Sequence, residues 1–208
     1  MKSMLVILLL LCSNLVLAKD CKSIFVDKAV QKEIEKKFLL YKDNKFYVSE
    51  RFIEIFGDIH LIRKKIEDSG VLIHQGYLPP MAQSIAEHML RDQIPFTPSE
   101  MRVRSKNGKK FLFTAKGEGH LERNEYEVEI TKNQFDLLWG FTVGNRIIKR
   151  RLDIEVLGQT VTFDMYKDRD LIVAEVEFKS IKEAENYQAL GKDVTSESHF
   201  KNKNLAKN

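Results

Sequence analysis

Alternation of polar and apolar residues with a period of two runs through most of the chain, which is typical of β-strands with two distinct faces. The pattern predicts about eight strands. They cover residues 32–40, 71–78, 100–105, 110–116, 123–130, 147–157, 160–166 and 171–178. Asn107-Gly108 and Gly158-Gln159 are short turns that join consecutive strands as hairpins. The sequence therefore predicts an α+β chain with an antiparallel barrel or sandwich.

Apolar residues at helical spacing predict helices between these strands. The predicted helices cover 49–69 as one or two helices, 82–91, a segment from Thr131 through Trp139, and Ser180 to Leu190. Gly70 ends the first segment. Thr131 with Gln134, and Ser180 with Glu183, have the spacing of residues that cap a helix at its N-terminus.

The first residues have a different pattern. Lys2 is followed by an unbroken apolar run over 4–11, and Ala18 precedes a charged stretch. A basic start, a short apolar centre and small residues before the cut are typical of a secretory signal peptide, whereas a membrane span needs about 20 apolar residues. We expect residues 1–18 to be cleaved and 19–208 to form one secreted or periplasmic domain without stable membrane insertion. An uncleaved N-terminal anchor is the alternative.

Charge and cysteine content exclude some classes of protein. The chain carries 34 Lys and Arg against 30 Asp and Glu, and loss of a signal containing Lys2 leaves a net charge of +3. A nucleic-acid-binding protein usually has a larger excess of basic residues than this. Cys21 is the one cysteine of the expected mature chain, and no Cys or His residues have the spacing of zinc ligands.

The polar faces of the predicted strands are almost purely charged, and the charges are sorted by sign. Acidic residues dominate the first, fifth and eighth strands, and basic residues the third, fourth and sixth. A solvated face explains such alternation in most proteins. If the sheet closes, however, one face becomes an interior. A polar interior, with apolar side chains packing outside against helices, suits a highly anionic ligand bound with metal.

These residue types have the chemistry that such a ligand requires. Carboxylates on one face of a strand recur about every 7 Å, and paired carboxylates at that spacing can flank a hard cation such as Mg²⁺. Arginine binds phosphate oxygens bidentately and lysine adds point charge. A bound metal can polarise a terminal phosphoryl group and activate water.

Blocks of the sequence, in order, resemble the CYTH or triphosphate tunnel metalloenzyme superfamily. Glu33-Ile34-Glu35-Lys36-Lys37 resembles its ExExK signature, and His74-Gln75-Gly76-Tyr77-Leu78 resembles its QGYL strand. The further blocks are Arg102-Val103-Arg104, Thr114-Ala115-Lys116-Gly117, residues 123–130, Ala174-Glu175-Val176-Glu177 and the tail 191–206. The resemblance covers about residues 30–206, and the QGYL and RxR forms are similar to the bacterial tripolyphosphatase branch.

The resemblance implies an eight-stranded antiparallel β-barrel, the triphosphate tunnel, with flanking helices, and it implies residue roles. Metal ligands would be Glu33, Glu35 and Glu177, with a second metal or the attacking water at Glu127 and Glu129. Phosphate contacts would be Lys37, which is also a catalytic candidate, Arg102, Arg104, Lys116, Lys149, Arg151 and, from the tail, Lys192. Arg123, Glu125 and Asp164 fit supporting roles at least as well. The implied cofactor is Mg²⁺ or Mn²⁺, and Lys36 faces away from the site.

The expected function is metal-dependent hydrolysis of inorganic tripolyphosphate or of an organic triphosphate, such as a nucleoside or thiamine triphosphate. One alternative is a class IV-type adenylate cyclase, although that branch tends to have a different block in place of QGYL. Another is an exported module that binds polyphosphate without turnover, which would not need both carboxylate clusters. The segments 41–73 and 79–99 are longer than usual, and we expect them to cap a tunnel mouth or to bind another molecule. His74 replaces an arginine that is common in relatives.

Overall fold

A computed structural model describes residues 30–90 and 94–207. The strands are β1 (Gln31–Lys42), β2 (Lys45–Phe46), β3 (Val71–Tyr77), β4 (Glu100–Lys106), β5 (Lys110–Lys116), β6 (Glu122–Glu129), β7 (Arg146–Val156), β8 (Gln159–Tyr166), β9 (Leu171–Glu177) and β10 (Lys192–Asp193). The α-helices are α1 (Glu50–Phe56), α2 (Ile59–Ser69), α3 (Pro80–Leu90), α4 (Lys132–Gly140), α5 (Ile181–Asn186) and α6 (Asn202–Leu205). None of the helices in these ranges has both the length and the apolar character of a membrane span. The predicted signal peptide lies outside the described residues.

Eight of the strands close into an antiparallel barrel. Their order around the wall is β1-β6-β5-β4-β3-β7-β8-β9, and β9 pairs back onto β1 with Glu35 opposite Glu177. The two-residue strands β2 and β10 both pair with β1. The predicted eight-stranded barrel is therefore confirmed, and the sandwich alternative is wrong.

The hydrophobic core lies outside the barrel, between its wall and the helices. One cluster joins the outer faces of β1, β8 and β9 to α1 and α2, with Phe38, Phe163, Phe52 and Ile62 fully buried. A second joins β4, β5 and β6 to α3 and α4. Because α1, α2 and α3 pack against the outer wall, the expectation that segments 41–73 and 79–99 cap a mouth is wrong for their helices.

Turn positions were predicted with mixed success. The β4–β5 hairpin turns at the predicted Asn107-Gly108, which have φ angles of 51° and 66°, and its loop covers residues 107–109 because Lys106 pairs with Lys110. Between β7 and β8, however, the turn residues are Leu157 and Gly158, so the predicted turn at Gly158-Gln159 is one residue late. Thr131 forms the predicted capping box at the start of α4.

The last predicted helix is shorter than expected. Helix α5 begins after its predicted cap, Ser180, but ends at Asn186 rather than Leu190. Tyr187 has extended backbone angles, and its ring packs against Phe38 and Phe178. This packing directs the chain into the core and away from a continued helix.

One end of the barrel is closed by apolar side chains. Toward that end the interior changes from charged residues to Leu39, Tyr77, Ile147, Tyr166 and Val173, and the C-terminal segment 194–206 packs against them. The main contributors from that segment are Val194, Phe200 and Ala206. At the opposite end, which we call the mouth, the β7–β8 turn projects and Leu157 is 82% exposed.

Candidate active site in the barrel

A cavity of about 1080 Å³ occupies the barrel interior and receives side chains from all eight strands of the wall. Alternation explains its charge, because most strands of the wall pack their apolar side chains against the helices and thereby direct their charged ones inward. On β1, Glu33, Glu35 and Lys37 line the cavity. Lys36 is directed outward, as predicted, and its ammonium lies 3.6 Å from a carboxylate oxygen of Asp193.

The carboxylates of β1 and β9 form what we call the acidic wall, made of Glu33, Glu35 and Glu177. Arg123 bridges its first two members, with Nε 2.8 Å from Glu33 Oε2 and Nη2 2.7 Å from Glu35 Oε1. Lys116 Nζ lies 2.6 Å from Glu33 and 2.7 Å from Glu125. Arg123 and Lys116 thus neutralise part of the acidic wall.

Proton affinities differ among these three carboxyl groups. Burial, together with the nearby Glu33 and Glu35, raises the pKa of Glu177 to about 7. Burial and Glu33 also raise the pKa of Glu35. For Glu33 burial acts in the same direction, but Lys116 and Arg123 more than offset it and hold the pKa well below its usual value.

The acidic wall fits a hard divalent cation. In the described ranges no three carboxylate, imidazole or thiol groups already converge on one metal position. The donor set is nevertheless all oxygen, which Mg²⁺ and Mn²⁺ prefer. Burial and the repulsion between neighbouring carboxylates both raise the pKa values of Glu35 and Glu177, and a cation bound between the two groups would offset both effects.

Strand β4 forms an opposing cationic wall, which consists of Arg102, Arg104 and Lys106. The Nε atoms of Arg102 and Arg104 are buried and have no hydrogen-bond partner among the residues that the structure describes. Burial and the adjacent Arg102 lower the pKa of Arg104 to about 10. A buried guanidinium nitrogen without a hydrogen-bond partner is costly. An anion bound along β4 would satisfy both of these Nε atoms.

Glu127 stands beside this cationic wall. Its Oε2 accepts hydrogen bonds from Arg104 Nη2 at 3.0 Å and from the Thr114 hydroxyl at 2.9 Å. Burial acts to raise the pKa of Glu127, but Arg104 and Arg102 outweigh it, so the pKa lies below its usual value. Glu127 is therefore an ionised carboxylate with a fixed orientation at neutral pH.

A buried ionic network lies deeper between β1, β7, β8 and β9. Glu175 accepts from Lys37 at 2.8 Å and from Arg151 at 2.7 Å. Arg151 also makes a two-point contact with Asp164, at 2.8 and 2.6 Å. Lys149 contacts the same carboxylate at 2.5 Å. This network holds Lys37 and Arg151 at the cavity surface.

Lys149 itself is only 1% exposed. Burial and the neighbouring Arg151 lower its pKa to about 7 in spite of Asp164, while Asp164, surrounded by both cations, has a pKa below its usual value. We expected Lys149 to contact phosphate. Its ammonium is instead bound to Asp164 beneath the cavity surface.

Most of the predicted site residues meet in this cavity. They are Glu33, Glu35, Lys37, Arg102, Arg104, Lys116, Glu127, Arg151 and Glu177. Glu129 and Lys192 do not. Glu129 is exposed at the end of β6 and pairs with Lys110 at 3.3 Å, and Lys192 is exposed on β10 and pairs with Glu197 at 2.8 Å. Their predicted placement in the site is therefore wrong, because both lie beyond the part of the wall that encloses the cavity.

Several lining residues were missed or given no role. Lys106 and Glu175 have the same strand parity as Arg104 and Glu177, so alternation alone could have identified them. Lys201 also lines the cavity, and its Nζ donates to the Gly119 carbonyl at 3.3 Å. No pattern in the sequence indicates that contact, since it depends on how the C-terminal segment packs.

Known proteins resemble this chain over most of its length. An inorganic triphosphatase from Nitrosomonas europaea is 34% identical over 143 residues, which are 66% of this chain and 85% of the relative. The crystal structure of an inorganic triphosphatase is 27% identical, with 85% of this chain and 95% of that chain covered and a TM-score of 0.48. A structure from Pyrococcus horikoshii OT3 is 21% identical, with 74% and 83% covered and a TM-score of 0.42. No protein-family model matches the chain.

Proposed function

Because the chain belongs to the CYTH, or triphosphate tunnel, superfamily, we propose that it is a divalent-metal-dependent triphosphatase whose preferred substrate is inorganic tripolyphosphate. The observation that carries this proposal is the pair of opposed walls inside a closed barrel. Arg102 and Arg104 present unsatisfied buried donors on one wall. The other wall presents carboxylates whose raised pKa values favour a cation. A metal-bound polyanion complements both walls.

Glu33, Glu35 and Glu177 are the residues that would hold Mg²⁺ or Mn²⁺. When bound, such a metal supplies charge stabilisation at the terminal phosphoryl group and a more acidic water. Both effects are those that an anhydride hydrolase needs. The proposal for this chain follows the inorganic triphosphatase to which it is 34% identical.

The remaining residues bind and orient the substrate. Arg102 and Arg104 grip phosphate oxygens through buried guanidinium groups, which form strong charge-assisted hydrogen bonds. Lys37 stays charged, since Glu175 and Glu35 raise its pKa more than burial lowers it. Glu127 has Oε2 occupied by Arg104 and Thr114, and its Oε1 is the atom that can accept a hydrogen bond from the attacking water.

Phosphate release tests the proposal. The purified protein is incubated with tripolyphosphate, ATP or thiamine triphosphate, each with Mg²⁺ or Mn²⁺. We expect release from tripolyphosphate in particular, no release with EDTA, and a loss of about 100-fold or more in Glu35→Ala. Glu185→Ala, on the exposed face of α5, is the matched control. Cyclic AMP from ATP would identify a cyclase instead. Tight binding without product under either metal would identify a binding module.

We also propose that the protein is exported after cleavage of residues 1–18. The support is the basic, apolar and small-residue order at the start of the sequence. Mass spectrometry of the protein recovered from cells tests this proposal. An N-terminus at Lys19 is expected, and a chain that retains Met1 would contradict it.

A further inference from the structure

Lys106 extends the cationic wall by one position beyond the RxR block. It lies on the cavity face of β4, two residues after Arg104, and its side chain is half-buried. Same-face positions on a strand are about 7 Å apart, so Arg102, Arg104 and Lys106 form a row of cations about 13 Å long. The family resemblance ends at Arg104 and assigns no role to Lys106.

Three lysines from the barrel strands line the cavity, Lys37, Lys106 and Lys116, and of these Lys106 is the one whose ammonium has no ion-pair partner within the described part of the chain. Lys37 and Lys116, in contrast, contact carboxylates at 2.8 and 2.6 Å. Partial withdrawal of an unpaired ammonium from water costs free energy, and a bound anion would offset that cost. The feature therefore points to a ligand rather than to a role in folding.

The position of Lys106 along the barrel axis shows toward which end a longer bound anion can extend. Arg102 is the register partner of Tyr77, which belongs to the apolar cluster that closes one end. Lys106 leads instead into the Asn107-Gly108 turn at the mouth. A linear anion held by Arg102 and Arg104 is blocked at the end that the apolar cluster closes. A longer anion can therefore extend only toward Lys106.

We propose that Lys106 binds a fourth phosphate, so that the protein accepts linear polyphosphates longer than tripolyphosphate. The inference rests on the proposed function for the placement of the first three phosphates. Lys106 is then a residue that determines chain-length preference. It takes no part in bond breaking.

The test is isothermal titration calorimetry of the full chain with tripolyphosphate and tetrapolyphosphate in metal-free buffer. We expect Lys106→Gln to weaken tetrapolyphosphate binding about 10-fold, since one charge-assisted hydrogen bond is lost, and tripolyphosphate binding less than twofold. Lys106→Arg should retain the preference. Lys109→Gln removes the same charge from an exposed position three residues away and controls for general electrostatic attraction.

The inference is overturned if Lys106→Gln changes both dissociation constants by the same factor, if it changes neither, or if the wild type binds neither chain. Turnover is measured separately. Hydrolysis of tripolyphosphate without a chain-length effect of Lys106→Gln would retain the proposed function and remove this inference. A chain-length effect of Lys106→Gln without hydrolysis of tripolyphosphate would retain this inference and contradict the proposed function.

Discussion

Glu177 is the cavity carboxyl group whose pKa is raised to about 7 from an ordinary value of 4.5. Burial and the neighbouring carboxylates, led by Glu33, cause the shift. Between these two pH values the folded state keeps a proton that the unfolded state releases. The free energy of unfolding therefore falls as pH rises through that window and stays reduced above it.

Replacement of Glu177 by glutamine should stabilise the metal-free protein. The gain is about 1 kcal/mol or less, because the side chain is partly exposed and solvent screens its charge. In EDTA at pH 8 we expect the unfolding midpoint to rise by about 2–4 °C, and at pH 4.5 to change little. Differential scanning calorimetry measures both, with Glu185→Gln as a control on an exposed helix. A lower midpoint for Glu177→Gln at pH 8 would show that the ionised Glu177 does not destabilise the metal-free protein.

Asp164 differs from Glu177 because neighbouring cations compensate its negative charge. It is completely buried and accepts hydrogen bonds from Lys149 and Arg151. Asp164→Asn would leave buried cations without their counter-charge, which costs about 3–5 kcal/mol. Urea unfolding should show the loss. Asp153→Asn, on the same cavity at the exposed mouth, should change stability by about 0.5 kcal/mol or less. Equal urea midpoints for the two variants would contradict this account.

At the scale of elements, the β4–β5 hairpin depends on the left-handed backbone of its turn. Gly108 has a φ of 66°, and a Cβ added there would meet no atom within 4 Å. Gly108→Ala should therefore cost only backbone strain, about 1–2 kcal/mol. Gly140→Ala is the control, because a Cβ there also meets open space and α4 favours alanine. Thermal unfolding should separate the two variants. Equal midpoints would mean that the turn relaxes to accommodate alanine.

Strand faces were predictable and turn positions were less so, for a physical reason. Alternation determines faces, so Glu33 and Glu35 point inward and Lys36 outward once the sheet closes. A turn depends on which residues accept positive φ. Leu157 does so between β7 and β8, although leucine is uncommon in that conformation, and the prediction placed the turn one residue later.

At the scale of the whole molecule, the sequence could not predict depth along the barrel axis. Lys149, Arg151 and Glu129 all have the parity of cavity residues, yet Lys149 is buried beneath the cavity and Glu129 lies beyond it. Depth follows from the stagger between neighbouring strands and from the C-terminal segment that closes one end. Neither is encoded in a local motif.

The opposed walls also predict how ligands act on the whole barrel. A divalent cation at the acidic wall and a polyanion at β4 lie in one cavity, so each should strengthen the binding of the other by about 1–3 kcal/mol. We expect Mg²⁺ and a non-hydrolysable imido-triphosphate together to raise the unfolding midpoint by more than the sum of their separate effects. Fluorescence of Trp139, the one tryptophan in the chain, can follow unfolding. In Arg102→Gln the excess over additivity should shrink while the effect of Mg²⁺ alone persists. Simple additivity in the wild type would mean that the two walls bind their ligands independently.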